Sequence, residues 1–211
     1  MGGEFRIGVL VSGRGSNLQS IIDACADGRV AGRVAVVVSD VEDAYALERA
    51  RKHGIEAIYH APGRLKTRLE PEREEALVAL LKGRRVDLVC MAGFMRIIHE
   101  PLLTAFEGRI MNIHPSLLPA FSGLDVQRAA IDYGAKFSGC TVHFATADFD
   151  AGPIIRQVVV PIEDDDTPET LAASILQQEH RIYPEAIQLF IEGRLKVDGR
   201  RVLTLAKQGE P

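Results

Sequence analysis

The sequence predicts an α/β protein, doubly wound, with a mostly parallel sheet and helices on both faces. Three observations carry this. Short runs rich in Val, Ile and Leu alternate with segments of helical spacing through the first ninety residues. The runs are apolar throughout rather than at every second position, which suits strands covered on both sides. A chain of 211 residues with 46% hydrophobic content can bury the core of one sizeable domain.

Residues 5–12, FRIGVLVS, are the first apolar run and end on a Gly-rich turn. In residues 17–28, NLQSIIDACADG, Leu18, Ile21, Ile22 and Cys25 form one helical stripe before Gly28. The alternation continues with a strand over 33–40, a helix over 41–54, a strand over 55–60, a helix over 71–83 and a strand over 86–91. Beyond residue 91 the strands GRIMNIH, SGCTVHFAT and IIRQVVVPI are separated by the long, semi-polar loops AGFMRII, NIHPSLLPAFSG and ATADFDAGP. Chemistry usually resides in such loops. Residues 168–193 read as a helix through Leu171, Ile175, Leu176, Ile182 and Leu189, kinked at Pro184. The segment RLKVDGRRVLTLA reads as a terminal hairpin turning at Asp198 and Gly199. No repeat, low-complexity tract or Pro-, Gly- or Ser-rich linker divides residues 1–211, which read as a single domain.

A formal charge of -4, from 29 acidic and 25 basic residues, supplies no general field for nucleic acid, and 6% aromatics without Trp disfavour a base-stacking surface. An anionic ligand must then be held by a local device. Cys25, Cys90 and Cys140 are odd in number and far apart, which argues for reduced thiols. The first residues have neither signal-peptide nor membrane-span character. A soluble, cytoplasmic protein with small-molecule partners and no membrane or nucleic-acid partner is expected; a homodimer stays open.

The turn SGRGSN, residues 12–17, lies between the first strand and the first helix, where main-chain N–H groups favour phosphate. Gly13 and Gly15 permit close approach, and Ser16 or Asn17 can cap the helix. A dinucleotide fingerprint is incomplete because Leu18 stands at its third glycine, although Asp40 sits where an acid could hold a ribose. Phosphate binding, nicotinamide binding and a merely tight turn remain alternatives from these residues alone.

Asn112 and His114 stand near the carboxyl end of a strand, where ligands of open α/β sheets bind. Asp150, in FDAGPII, could approach His114 across that crevice. A carboxylate favours the charged imidazole and fixes its orientation, while Asn112 offers an amide to developing negative charge on oxygen. The trio suits attack on a carbonyl carbon. Ser116 lacks a nucleophile elbow, and the six histidines include no HxxxH pair, so neither a protein nucleophile nor a metal is expected. His143 reads as a packed sheet histidine, and Met91 and Met95 as slot-lining or filler. Glu179 falls beside Ile175 and Leu176 on the inward face of the last helix, where a carboxylate needs a cation or a substrate amine.

GRGSNLQSII, AGFMRII, MNIHPSLLPAFSGL, FDAGPII and QQEHRIYP together resemble, in order and spacing, the phosphoribosylglycinamide formyltransferases, a group of the folate-dependent formyltransferase family. The resemblance spans essentially the whole chain. It implies 10-formyltetrahydrofolate as donor co-substrate, 5-phosphoribosylglycinamide as acceptor and no metal, with a phosphate-binding half over 1–90 and a folate and catalytic half over 91–211. It implies Asn112, His114 and Asp150 as catalytic residues, Gly15, Ser16 and Asn17 as the phosphate cradle, and Glu179 at the glycinamide amine. Folate would be bound by Arg68, by Met95, Arg96, Ile97 and Ile98, and by the loop Ala145, Thr146, Ala147, Asp148 and Phe149 leading to Asp150. Departures are Asp125, where many members have histidine, and Asp40, where Asn is commoner. A cis bond at Leu118-Pro119 is also implied. The rival readings are another folate-dependent formyltransferase, a formyltetrahydrofolate hydrolase, a nicotinamide-dependent oxidoreductase, and a non-catalytic nucleotide- or folate-binding module.

Overall fold

The computed structural model describes residues 4–207. They belong to two compact units, the first ending at Asn112 and the second beginning at Ile113.

The first unit alternates strand and helix: β1 (Phe5–Val11), α1 (Ser16–Ala26), β2 (Gly32–Ser39), α2 (Tyr45–Lys52), β3 (Glu56–Tyr59), α3 (Pro71–Gly83), β4 (Leu88–Met91), α4 (Glu100–Ala105) and the start of β5 (Ile110–His114). β1 pairs in parallel with β2 on one side and β4 on the other; β3 extends the sheet beyond β2 and β5 beyond β4. The connections therefore change direction beside β1, the switch point where such sheets open a crevice at the strand carboxyl ends. Val36, Val37, Ile7, Val9, Leu88 and Val89 are fully buried, which explains why these strands read as continuous apolar runs. α2 starts at Tyr45 rather than residue 41, because Ser39 Oγ accepts the Val41 N–H at 3.1 Å and a turn closes from Val41 to Ala44 at 3.3 Å.

The second unit holds the end of β5, then α5 (Val126–Tyr133), β6 (Phe137–Phe144), β7 (Ile154–Pro161), α6 (Pro168–Ile191), β8 (Leu195–Asp198) and β9 (Arg201–Thr204). β6 and β7 are antiparallel, β7 meets β9 in parallel, and β8 and β9 form the expected terminal hairpin with Gly199 at φ 59°. The chain is thus α/β with a mostly parallel sheet. α6 runs through Pro184 as one helix, and opens on a capping box in which Thr167 Oγ1 accepts the Thr170 N–H at 3.3 Å. α4 and α5 lie in stretches to which the sequence reading assigns no element. α5 stops on Gly134 at φ 79°, a left-handed helix end that glycine adopts without strain. Among the described residues no helix is long and apolar enough to cross a membrane.

Candidate active site

In the first unit, residues 12–17 leave the carboxyl end of β1 and, with Ala92, Gly93 and Met95 after β4, line a cavity of about 260 Å³. Gly15 is the N-cap of α1 at φ 70°, and no side chain caps the helix. Ser16 and Asn17, expected as caps, are instead the first residues of the helix, because the left-handed turn falls at the residue that pays least for it. A Cβ on residue 15 would stand 2.6 Å from Ala46 Cβ. α2 clamps the turn: the Ala46 N–H donates to Gly13 O at 3.1 Å and Arg49 Nε to Arg14 O at 2.8 Å. What the cavity receives is a glycine-lined main chain at the positive end of an 11-residue helix.

Asp40, the acid of the nicotinamide reading, is already engaged. Its Oδ1 accepts the Ser12 hydroxyl at 2.5 Å and its Oδ2 accepts Arg96 Nε at 2.6 Å. Arg96 is engaged on its other side too: its guanidinium also donates to the carbonyls of Leu65 and Lys66. Met95 and Ile97 stay exposed, Ile98 is buried, and Met91 is core filler. Arg68 is exposed and forms a main-chain bridge with Ile97, so the two stretches assigned to folate lie side by side in this unit.

Asn112 and His114 stand two residues apart on β5, so their side chains leave the same face of the strand. Asn112 is half-buried, opposite Met91 in the β4–β5 register.

The second unit surrounds His114, which is 5% exposed. Its Nε2 donates to Phe121 O at 3.0 Å, and its Nδ1 faces Asp150 Oδ2 at 3.4 Å. A carbonyl can only accept, so Nε2 carries a hydrogen, while Nδ1 is turned towards the carboxylate. The segment after β5 is braced for this purpose. Ser116 Oγ donates to Ala120 O at 2.7 Å, and Thr141 Oγ1 on β6 donates to Ser116 O at 2.7 Å and accepts the Leu118 N–H at 3.1 Å. The Leu118-Pro119 bond is cis, and the turn brings Phe121, at φ 52°, back to His114. Ser116 is fully buried and spent on the turn.

Asp150 also adopts a left-handed backbone, φ 50°, uncommon for a residue with a Cβ and typical of functional loops. Its Oδ2 accepts the Gly123 N–H at 3.1 Å, and its Oδ1 lies 3.8 Å from His143 Nε2. His143 is packed on β6 as expected, and from there it also faces this carboxylate. A register shift between Val142 and His143 in the β6–β7 ladder marks an irregularity that re-aims a side chain, and such features gather at active sites. Its Nδ1 donates to Phe144 O at 2.9 Å. Burial pushes His143 below its ordinary value of 6.5, and nearby His114 adds to that, against the Phe144 carbonyl and Asp150. Sequence reasoning missed this approach to Asp150; the available signal was a histidine seven residues before Asp150 on the strand that feeds its loop.

The loop 145–150 is held at its base by the Phe144 N–H on Pro153 O at 3.0 Å, and by Gly152, where a Cβ would run into the Phe144 carbonyl. Ala145 is half-buried, and Thr146, Ala147, Asp148 and Phe149 are exposed; Thr146 Oγ1 donates to Asp148 O at 3.1 Å. Glu179 is buried on α6 with Ile175, as expected, whereas Leu176, expected on the same face, is half-buried. Burial, with the Glu179 charge behind it, pushes the Cys140 thiol on β6 up to about 12. Asp125 is exposed at the head of α5, and its side chain makes no cap. Among the described residues no group of three or more His, Cys, Asp or Glu side chains could hold a metal ion.

Residues 5–187 match the family described as Formyl transferase. A phosphoribosylglycinamide formyltransferase of Escherichia coli (strain K12) is 41% identical over 201 residues, which is 92% of this chain and 94% of the relative. One of Haemophilus influenzae is 41% identical over 192 residues, 91% of this chain and 90% of the relative. Among solved structures, glycinamide ribonucleotide transformylase 1 from Symbiobacterium toebii has a TM-score of 0.93 at 56% identity, covering 98% of this chain and 96% of that one. The motifs, the fold and these matches agree: the chain belongs to the formyl transferase family, within its phosphoribosylglycinamide formyltransferase group.

Proposed function

We propose that the protein transfers the formyl group of 10-formyltetrahydrofolate to the amine of 5-phosphoribosylglycinamide, giving formylglycinamide ribonucleotide and tetrahydrofolate in de novo purine (IMP) biosynthesis. The names of its relatives support formyl transfer to phosphoribosylglycinamide. The observation that carries the chemistry is His114, whose two ring nitrogens face Phe121 O at 3.0 Å and Asp150 Oδ2 at 3.4 Å.

The main chain at Gly15, Ser16 and Asn17 holds the phosphate, and Glu179 receives the glycinamide amine. Folate is held by Arg68, by the segment 95–98 through its main chain and exposed side chains, and by the loop 145–149. The free amine attacks the formyl carbon and creates a tetrahedral oxyanion. Asn112 donates its amide to that oxygen. The Nε2–H of His114, resting on a neutral carbonyl, passes to the stronger, charged acceptor. Asp150 keeps the imidazolium and, through a water, helps move a proton from the attacking nitrogen to the departing folate nitrogen. The scheme calls for no metal. The protein works as a single formyltransferase domain in the cytoplasm on small molecules, with a homodimer left open.

Mixing the protein with both substrates and following folate absorbance, with each omitted in turn, tests this reading. Absorbance change that needs both substrates supports transfer. Change without the ribonucleotide would mean hydrolysis instead, and saturable NAD(P) binding with no formyl transfer would mean an oxidoreductase.

A further inference from the structure

We infer that Asp40 and Arg96 form a positioning pair that couples the anion turn to the segment 95–98, so that one buried contact sets the sites for both substrates. The inference rests on the function proposed above and adds two side chains whose charged groups need never touch a substrate.

The geometry forms a closed ring within the first unit. Asp40, at the end of β2, is 3% exposed at its side chain and Arg96 17%. Asp40 Oδ1 takes the Ser12 hydroxyl hydrogen at 2.5 Å, and Ser12 is the first residue of the turn. With its hydrogen spent, Ser12 Oγ receives the Met95 N–H at 2.8 Å, which ties the turn to the segment directly. Asp40 Oδ2 takes Arg96 Nε at 2.6 Å. Arg96 Nη1 then reaches the carbonyls of Leu65 at 2.8 Å and Lys66 at 2.5 Å, just before Arg68 pairs with Ile97. Ser12 and Met95 both line the cavity of the turn. A buried ion pair is weak evidence for stability but holds geometry tightly, because either charge left alone is costly. Moving the turn relative to residues 95–98 requires breaking a charged contact.

The decisive variant is the double substitution D40L/R96M, which leaves no unpaired charge and so separates folding from positioning. The readouts are KM for each substrate, kcat, the thermal midpoint, and calorimetric binding of ribose 5-phosphate and of 5-formyltetrahydrofolate. A folded double variant should raise both KM values, and weaken both binding constants, by about ten-fold, with kcat changed by less than about three-fold. Should the double variant fail to fold, S12A cuts the ring on the turn side alone and should raise both constants about three-fold. Constants unchanged in the folded double variant or in S12A, or only one substrate affected, would overturn the coupling. A wild-type protein without formyl transfer overturns the proposed function instead, and the two calorimetric titrations still decide the fate of the pair. Wild type binding neither probe sinks both.

Discussion

The glycine turn of residues 12–17 offers main chain to its cavity, whereas the cluster around Asp150 offers side chains. The turn is a contiguous stretch closed against α2 by main-chain contacts and one left-handed glycine. The cluster draws on residues 114, 121, 123, 143 and 150, and is nearly excluded from solvent. The two regions should therefore fail in opposite ways. An anion site made of N–H groups is broken by adding atoms that displace the main chain, and tolerates loss of a hydroxyl. A site made of an imidazole and a carboxylate is broken by removing atoms.

Truncation of His114 in the cluster, or of Asn112 two residues before it on β5, should have the largest effect. His114→Ala and Asn112→Ala should each lower kcat by about 10²- to 10³-fold, roughly 3 to 4 kcal/mol, the usual cost of losing an oxyanion donor. Near wild-type turnover in either, with the thermal midpoint held, would remove that residue from the mechanism. Gly152→Ala comes next, because the new Cβ meets the Phe144 carbonyl and must displace the loop that carries Asp150. A fall in kcat/KM of about 10²-fold is expected from such misplacement, with a lowered midpoint. Gly15→Ala sharpens the contrast. The residue sits at φ 70° with Ala46 behind it, so the substitution should cost about 1 to 2 kcal/mol of stability and raise KM for the ribonucleotide more than it lowers kcat. If Ser16→Ala proved more harmful than Gly15→Ala, the turn would be a side-chain site after all.

This contrast also explains what could be read from the sequence. The βα alternation of the first unit and the turn were legible because each signal is local: an apolar run, a Gly-rich turn, a helical stripe. α4 and α5 were hidden because six and eight residues are too short to show a helical stripe; in α4 only Leu102 is buried, and in α5 only Val126 and Ala130. The pairing of His114 with Asp150 was expected, and the geometry brings them to 3.4 Å. The second histidine was not, because His143 reaches Asp150 only through the irregular β6–β7 ladder and the left-handed backbone of Asp150, neither of which composition encodes. The capture of Arg96 was hidden for a similar reason: the buried carboxylate that accepts from it lies 56 residues away.

The smallest effect concerns His143 and is visible as pH dependence of stability. Burial holds its folded value below 6.5, so beneath that pH the unfolded chain binds a proton that the folded chain refuses. Above 6.5 both states are neutral and the group contributes nothing; as pH falls from 6.5 towards the lower folded value, stability is lost. The slope approaches at most about 1.4 kcal/mol per pH unit for one proton. The charged and titratable partners facing this ring, Asp150 and His114, are kept in His143→Gln, whose amide can still donate to Phe144 O. Denaturant midpoints followed from about pH 8 to about pH 5.5 should show wild type losing about 1 kcal/mol more than the variant, almost all of it on the acid side. Parallel curves would mean that folding does not lower the His143 value, and that burial is offset by the Phe144 carbonyl and Asp150.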